Sequence, residues 1–193
     1  MTFEAITKLI KDRRSTYAYD FSEEQLSKET IENIVSNGLW APTHKLTQPW
    51  RFVVLEGNHK LELGEFMAKY YRELYTEEKF STKRFESTKQ YAKNATLLGV
   101  IFQPSKRAQL PEWEEIAAIS CAIQNMWLSC TAAEIGCYWD TSSATMEYGK
   151  RIPLEDEEQF LGILFMGKLK ENIALGNRRR KPLSKKLTWD FKN

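Results

Sequence analysis

"EWEEIAAISCAIQNMWLSCTAAEIG", Glu112 to Gly136, is the longest apolar-periodic stretch of the 193-residue chain, and its reading sets the fold class. Glu112, Glu114 and Glu115 crowd the first turn, where the positive end of a helix dipole favours acids. Pro111 stands where a missing N–H costs nothing, and Gly136 is placed to end the helix. From Ile116 to Ala133 the sequence is apolar on most of its circumference. A helix of that kind belongs at the centre of a fold or in an interface between subunits.

Working outward, TLLGVIF (Thr96 to Phe102) reads as a buried strand. CYWDT and QFLGILFMG, downstream, read as two more around a short helical or loop segment. Phe3, Ile6, Leu9 and Ile10 predict a first helix ending near Arg13, followed by the polar, aromatic loop RRSTYAYDFS. Ser27 and Glu29 open a second helix, with Ile31, Ile34, Val35 and Leu39, that runs towards Pro42. WRFVVLEG then gives a strand closed by Gly57. Leu61, Phe66, Met67, Tyr70, Tyr71 and Leu74 mark a third helix, and TEEKFSTKRFESTKQYAKNA continues as a charged, exposed, helical or mobile segment. With no internal repeat, low-complexity run or linker, residues 1–193 read as one α+β domain in which helices outnumber strands.

Composition agrees with a single globular domain, at 42% hydrophobic and 12% aromatic residues. No uncharged apolar window of about 18 residues exists, and the amphipathic N-terminus lacks the continuous apolar region of a signal peptide. A soluble, cytoplasmic protein without a membrane partner is expected. Cys121, Cys130 and Cys137 are an odd number at no zinc-ligand spacing, so reduced core thiols are expected; with only His44 and His59 besides, no metal site is. The net charge of +2 is unevenly spread: Lys168 to Asn193 holds nine Lys/Arg against Glu171 and Asp190. Such a tail suits an anion. Nucleic acid would want a basic face backed by stacking aromatics, whereas the aromatics here sit in apolar periodic stretches, so a small phosphate ranks above nucleic acid.

The chain has no G-x-S-x-G elbow, no P-loop, no G-x-G-x-x-G and no metal-ligand pair of histidines. A large core with few reactive side chains still suits an enzyme whose cofactor carries the chemistry. Three clusters combine donors with short polar groups: Arg13-Arg14-Ser15, Pro42 to Gln48, and Arg178-Arg179-Arg180-Lys181-Pro182. Two arginine clusters and a hydroxyl suit a terminal phosphate dianion, because guanidinium forks make charge-assisted bidentate bonds to its oxygens. A solvated basic patch is the competing reading of each run.

Taken together, R-R-S near the N-terminus, P-T-H-K-L-T-Q-P-W-R-F before a strand, E-I-G-C-Y-W after a long apolar helix and R-R-R-K-P-L near the end resemble the FMN-dependent nitroreductase family, in its compact members. The likeness runs in order from Arg13 to Leu183. It implies a nitroreductase-like fold, with a central, mainly antiparallel sheet surrounded by helices, and a homodimer with FMN at the subunit interface. It also implies that Arg13, Arg14 and Ser15 hold the ribityl phosphate and part of the flavin edge, with Arg178 and Arg180 completing the clamp. Pro42, Thr43, His44 and Gln48 would line the ring or ribityl chain, and Lys45 reads as solvated. Trp139, Asp140 and Thr141 would cover the other side of the flavin with a backbone N–H towards N5, although Trp139 also reads as a plain core aromatic. Where classical members have Ser and Asn ahead of Gln-Pro-Trp, this chain has His44 to Thr47.

The implied activity is NAD(P)H oxidation with ping-pong hydride transfer through flavin N5 to a nitroaromatic, quinone or similar small acceptor, with no catalytic side chain. NADH or NADPH would be the co-substrate, and Tyr70 to Asn94 would form a cover that selects acceptors. A flavin carrier or sensor without efficient turnover is the alternative.

Overall fold

A computed structural model describes residues 2–174 and 176–189; Met1, Leu175 and residues 190–193 lie outside the described residues. The elements in chain order are α1 (Phe3–Asp12), α2 (Lys28–Gly38), β1 (Trp50–Leu55), α3 (Asn58–Leu74), α4 (Thr82–Asn94), β2 (Thr96–Phe102), α5 (Glu112–Ala132), β3 (Ile135–Asp140), α6 (Ser143–Gly149) and β4 (Gln159–Lys168), with short 3₁₀ turns at Ala18–Asp20, His44–Leu46 and Leu183–Lys185. Thr2, Ser27, Ser81 and Ser142 cap α1, α2, α4 and α6, each side chain accepting from a backbone N–H that the helix itself cannot satisfy.

The four strands form one antiparallel sheet in the order β1-β2-β4-β3. Alternation along the strands divides the core into two layers. Leu98, Val100, Phe102, Cys137, Leu164 and Met166 meet α2 and α5 on one face. Leu97, Ile101, Ile163 and Phe165 meet Leu63 of α3, Ala92 of α4 and Tyr148 of α6 on the other. The α+β expectation and the antiparallel sheet stand.

Three local expectations are corrected. Helix α2 ends at Gly38, not at Pro42: a Cβ at Gly38 would lie 2.9 Å from the Met126 side chain, so this glycine is where α2 meets α5. Helix α5 ends at Ala132, and the left-handed residue that turns the chain is Glu134 (φ 56°), which puts Gly136 inside β3. Of the cysteines, Cys130 and Cys137 are core thiols, but Cys121 is exposed. It belongs to an outward stripe of α5 with Trp113, Ala117, Ser120 and Gln124, opposite the buried stripe of Ala118, Ile119, Ala122, Ile123, Met126 and Cys130. Thus α5 buries only one side within the chain. Helix α1, for all its apolar spacing, has no buried residue at all.

Candidate functional site

The RRS loop leaves α1 and runs along the free edge of β3, where the Thr16 N–H donates to the Cys137 carbonyl at 3.1 Å. Trp127 of α5 anchors the loop. Its indole Nε1 donates to the Arg14 carbonyl at 3.0 Å, and the Arg13 guanidinium stands 4.7 Å from its ring centre in cation–π geometry. The tail meets the same place: Arg14 Nη2 donates to the Gly176 carbonyl at 2.8 Å, and Arg178 donates to the carbonyls of Lys11 and Arg13. Burial first, and then the like charges of Arg180 and Arg178, press the Arg13 pKa below its ordinary value. Asp12, 3.8 Å from Arg178, is the acid that meets this group.

Arg13, Arg14, Ser15, Arg178 and Arg180 are thus brought together, and with unequal duties. Arg178 is turned onto the last carbonyls of α1, a favourable position for a cation at a helix C-terminus. Arg180 bonds only to its neighbour's carbonyl among the described residues, and Ser15 is exposed. Arg14 Nε is buried with no hydrogen-bond partner. A concentration of guanidinium groups with a single nearby acid and an orphaned donor fits a phosphate dianion.

The loop before β1 lies elsewhere. The Glu114 carboxylate, in the first turn of α5, pairs with His44 Nδ1 at 2.7 Å; since an ionised carboxylate only accepts, Nδ1 carries the proton and Nε2 is the ring atom left for a ligand. Lys45 is exposed as expected, but its ammonium also donates to the Ala108 carbonyl at 3.1 Å. Lys45, Leu46 and Gln48 all have positive φ (51°, 54° and 47°), a concentration of left-handed non-glycine residues that marks a constrained loop. Pro42 and Gln48 are exposed, Thr43 is half-buried, and Thr47 Oγ1 is buried without a partner. Glu114 and Trp127 are separated by about 20 Å along α5, at a rise of about 1.5 Å per residue. Within one chain, then, the loop and the arginine cluster stand at opposite ends of that helix. The two orphaned buried side-chain atoms of the described residues, Arg14 Nε and Thr47 Oγ1, fall one in each.

Trp139 to Thr141 close β3. Trp139 packs against the α2/α5 core layer and its Nε1 donates to the Leu161 carbonyl at 3.0 Å. The Asp140 carboxylate accepts from the Ser142 N–H at 2.9 Å and the Thr145 hydroxyl at 2.6 Å, which commits it to the start of α6. Beyond Cys137, no backbone bond from another described segment meets the outer edge of β3.

This edge depends on Gly162. The β2–β4 register slips between Val100 and Ile101, leaving Leu161 as an extra residue whose carbonyl reaches Trp139. Gly162 beside it has φ 114°, and a Cβ there would lie 2.4 Å from the Asp140 carbonyl oxygen. Gly162→Ala is expected to cost at least about 2 kcal/mol, a fall in Tm of about 4–8 °C for a chain of this size, measured by thermal unfolding.

A sequence model of the nitroreductase family matches residues 10–168. The chain belongs to that family. It is similar to YdjA of Escherichia coli (strain K12), 25% identical over 83% of this chain and 86% of that protein. In structure it is similar to a nitroreductase-like family protein from Bacillus cereus, with a TM-score of 0.76, 24% identity and coverage of 97% of each chain. It also resembles the FMN-dependent nitroreductase NfnB from Mycobacterium smegmatis, solved in complex with NADPH, with a TM-score of 0.73, 18% identity and coverage of 97% and 98%. The fold expected of a nitroreductase is therefore the fold observed. The sequence motifs did not point to Trp127, Thr47 or Gly162. Trp127 is hidden in the apolar period of α5, and Thr47 lies within a quoted motif but shows its unpaired hydroxyl only once folded.

Proposed function

We propose that this nitroreductase-family chain is an FMN-dependent NAD(P)H oxidoreductase acting on an electron-poor small molecule such as a nitroaromatic or quinone. We further propose that it works as a homodimer of one-domain subunits spanning residues 1–193. The observation that carries the reading is the convergence of Arg13, Arg14, Ser15 and Arg180 around an orphaned buried donor. FMN, when bound, supplies hydride transfer from NADH or NADPH to the acceptor through N5. Arg13, Arg14, Ser15 and Arg180 hold its phosphate, and Arg178 braces the loop that carries them. The outer edge of β3 at Trp139 to Thr141 offers backbone N–H groups to the ring, with Trp139 as part of the core behind it and Asp140 fixing the turn.

The opposite placement of Pro42 to Gln48 on α5 supports two subunits sharing each site: the arginine cluster of one and the Pro42, Thr43, His44 and Gln48 loop of the other. Exposed apolar side chains support the same assembly. Phe3, Trp40, Trp113 and Trp189 are 69–89% exposed, large apolar side chains that a second subunit would cover. No helix among the described residues is long and apolar enough to cross a membrane, and no group of three or more His, Cys, Asp or Glu among them is placed to hold a metal.

The test is an absorption spectrum of the purified protein before and after anaerobic NADH or NADPH. A yellow protein that bleaches within the mixing time is expected. One that stays yellow is a carrier, and a colourless one that takes up no added FMN overturns the reading.

A further inference from the structure

A cavity of about 370 Å³ opens between the C-terminal half of α3, helix α4 and the first residues of α6. This volume lies within the range of small-molecule sites, about 300–1,000 Å³. Its walls are aromatic, with Tyr70, Tyr71, Tyr75 and Tyr91 among them, and Arg84 is the one charged side chain that lines it. The Arg84 guanidinium lies 4.5 Å from the Tyr71 ring centre and 5.8 Å from that of Tyr75. Stacking occupies the face of a guanidinium and leaves its in-plane N–H fork free. No carboxylate of the described residues lies within 4.0 Å of that fork, although Arg72 of α3 and Lys89 of α4 both have acidic partners. Ser143, on the opposite wall, has a hydroxyl with no partner among the described residues. It follows two residues after Thr141, at the end of the β3 edge.

We propose that this cavity binds a planar aromatic monocarboxylate: the tyrosine-lined walls receive the ring and the Arg84 fork takes the carboxylate as a bidentate ion pair. Apolar walls explain the ring, the stacked and unpaired guanidinium explains the anion, and the absence of any second charge in the lining explains why one carboxylate is enough. Combined with the proposed function, on which this last step rests, the cavity names aromatic acids as the acceptor class and Arg84 as the residue that selects them.

The experiment is equilibrium binding by calorimetry, without nicotinamide nucleotide, of 4-nitrobenzoate and its neutral isostere 4-nitrobenzamide to the purified protein. Wild type is expected to bind the acid about tenfold or more tighter than the amide, the usual worth of a charged hydrogen-bonded pair. Arg84→Gln should reduce that ratio to about one while still unfolding in a single cooperative thermal transition, and Arg84→Lys should retain part of it. Equal binding of acid and amide by wild type, or an acid preference that survives Arg84→Gln, overturns the proposal. A flavin-free protein that keeps the preference would sink the oxidoreductase reading alone. A yellow protein bleached by NADPH but blind to the carboxylate would sink the cavity alone.

Discussion

Arg13→Ala is expected to weaken FMN binding about 10- to 150-fold, as read by quenching of flavin fluorescence on titration into the apoprotein. The figure follows from the 1.5–3 kcal/mol or so that a charged hydrogen bond contributes, at about 1.4 kcal/mol per factor of ten. Arg13 should stand at the upper end for two reasons. Its guanidinium is already half-buried against Trp127, so little of its desolvation remains to be offset when an anion arrives. It also sits under the like charges of Arg180 and Arg178, a repulsion that a phosphate dianion relieves. Because binding neutralises clustered cations, the wild-type affinity should fall with ionic strength and the variant's should fall less. Arg178→Ala supplies the contrast. Its donors serve the carbonyls of Lys11 and Arg13, so it should loosen the N-terminal loop and weaken FMN by a smaller factor. Wild-type affinity in Arg13→Ala would remove the cluster from the site.

That contrast shows what sequence motifs carry and what they omit. R-R-S and R-R-R-K-P-L give the residue types of an anion grip, and folding brings them within reach, yet no spacing distinguishes Arg178, which braces a helix end, from Arg180, which is left for a ligand. Periodicity says which side chains are apolar and not what covers them. The first-helix residues Phe3, Ile6 and Ile10 have helical spacing, and the helix is there, but no other described residue buries them. In α5 the same signal covers most of the circumference, whereas the structure buries one stripe and turns Cys121 outward. Periodicity is also silent on close approach: Gly38, the last residue of α2, stands where a Cβ would meet the Met126 side chain of α5. The bulge at Leu161 and Gly162, which gives Trp139 its carbonyl partner, has only an unremarked glycine inside a strand as its trace in the sequence.

The largest effect on stability is expected from a pair with no sequence signature at all. Arg51 of β1 and Glu158, just before β4, form a bidentate bridge, with Nε to Oε1 at 2.7 Å. The Glu158 side chain is 1% exposed and that of Arg51 31%. The Glu158 carboxylate also accepts from Gln103 at 3.1 Å and from the Glu155 N–H at 2.9 Å. The hydrogen bond from Arg51 above all lowers its pKa from 4.5 to about 2, against a smaller opposing effect of burial. Arg51→Ala leaves a buried carboxylate with only neutral donors, at a cost of about 3–5 kcal/mol, or a fall in Tm of about 6–20 °C at fixed protein concentration. Glu158→Gln should cost less, about 1–2 kcal/mol, because the guanidinium it strands can reach water and the amide keeps the shape.

The pH dependence separates the two further. A carboxylate whose folded pKa is depressed stabilises the protein fully above its unfolded value near 4.5, and that contribution disappears as the pH falls towards 2. Wild-type Tm should therefore drop steeply between about pH 4.5 and 2, and the Glu158→Gln curve should be flatter over that interval. Parallel acid limbs in the two proteins would assign the loss to other carboxylates. Since Glu158 lines the same cavity as Thr47 and Gln48, the Arg51→Ala protein should also lose some of the rigidity that holds the left-handed loop in place. The expected sign is faster proteolysis within Pro42 to Gln48 at a temperature well below the melting point, with no such cleavage in Glu158→Gln.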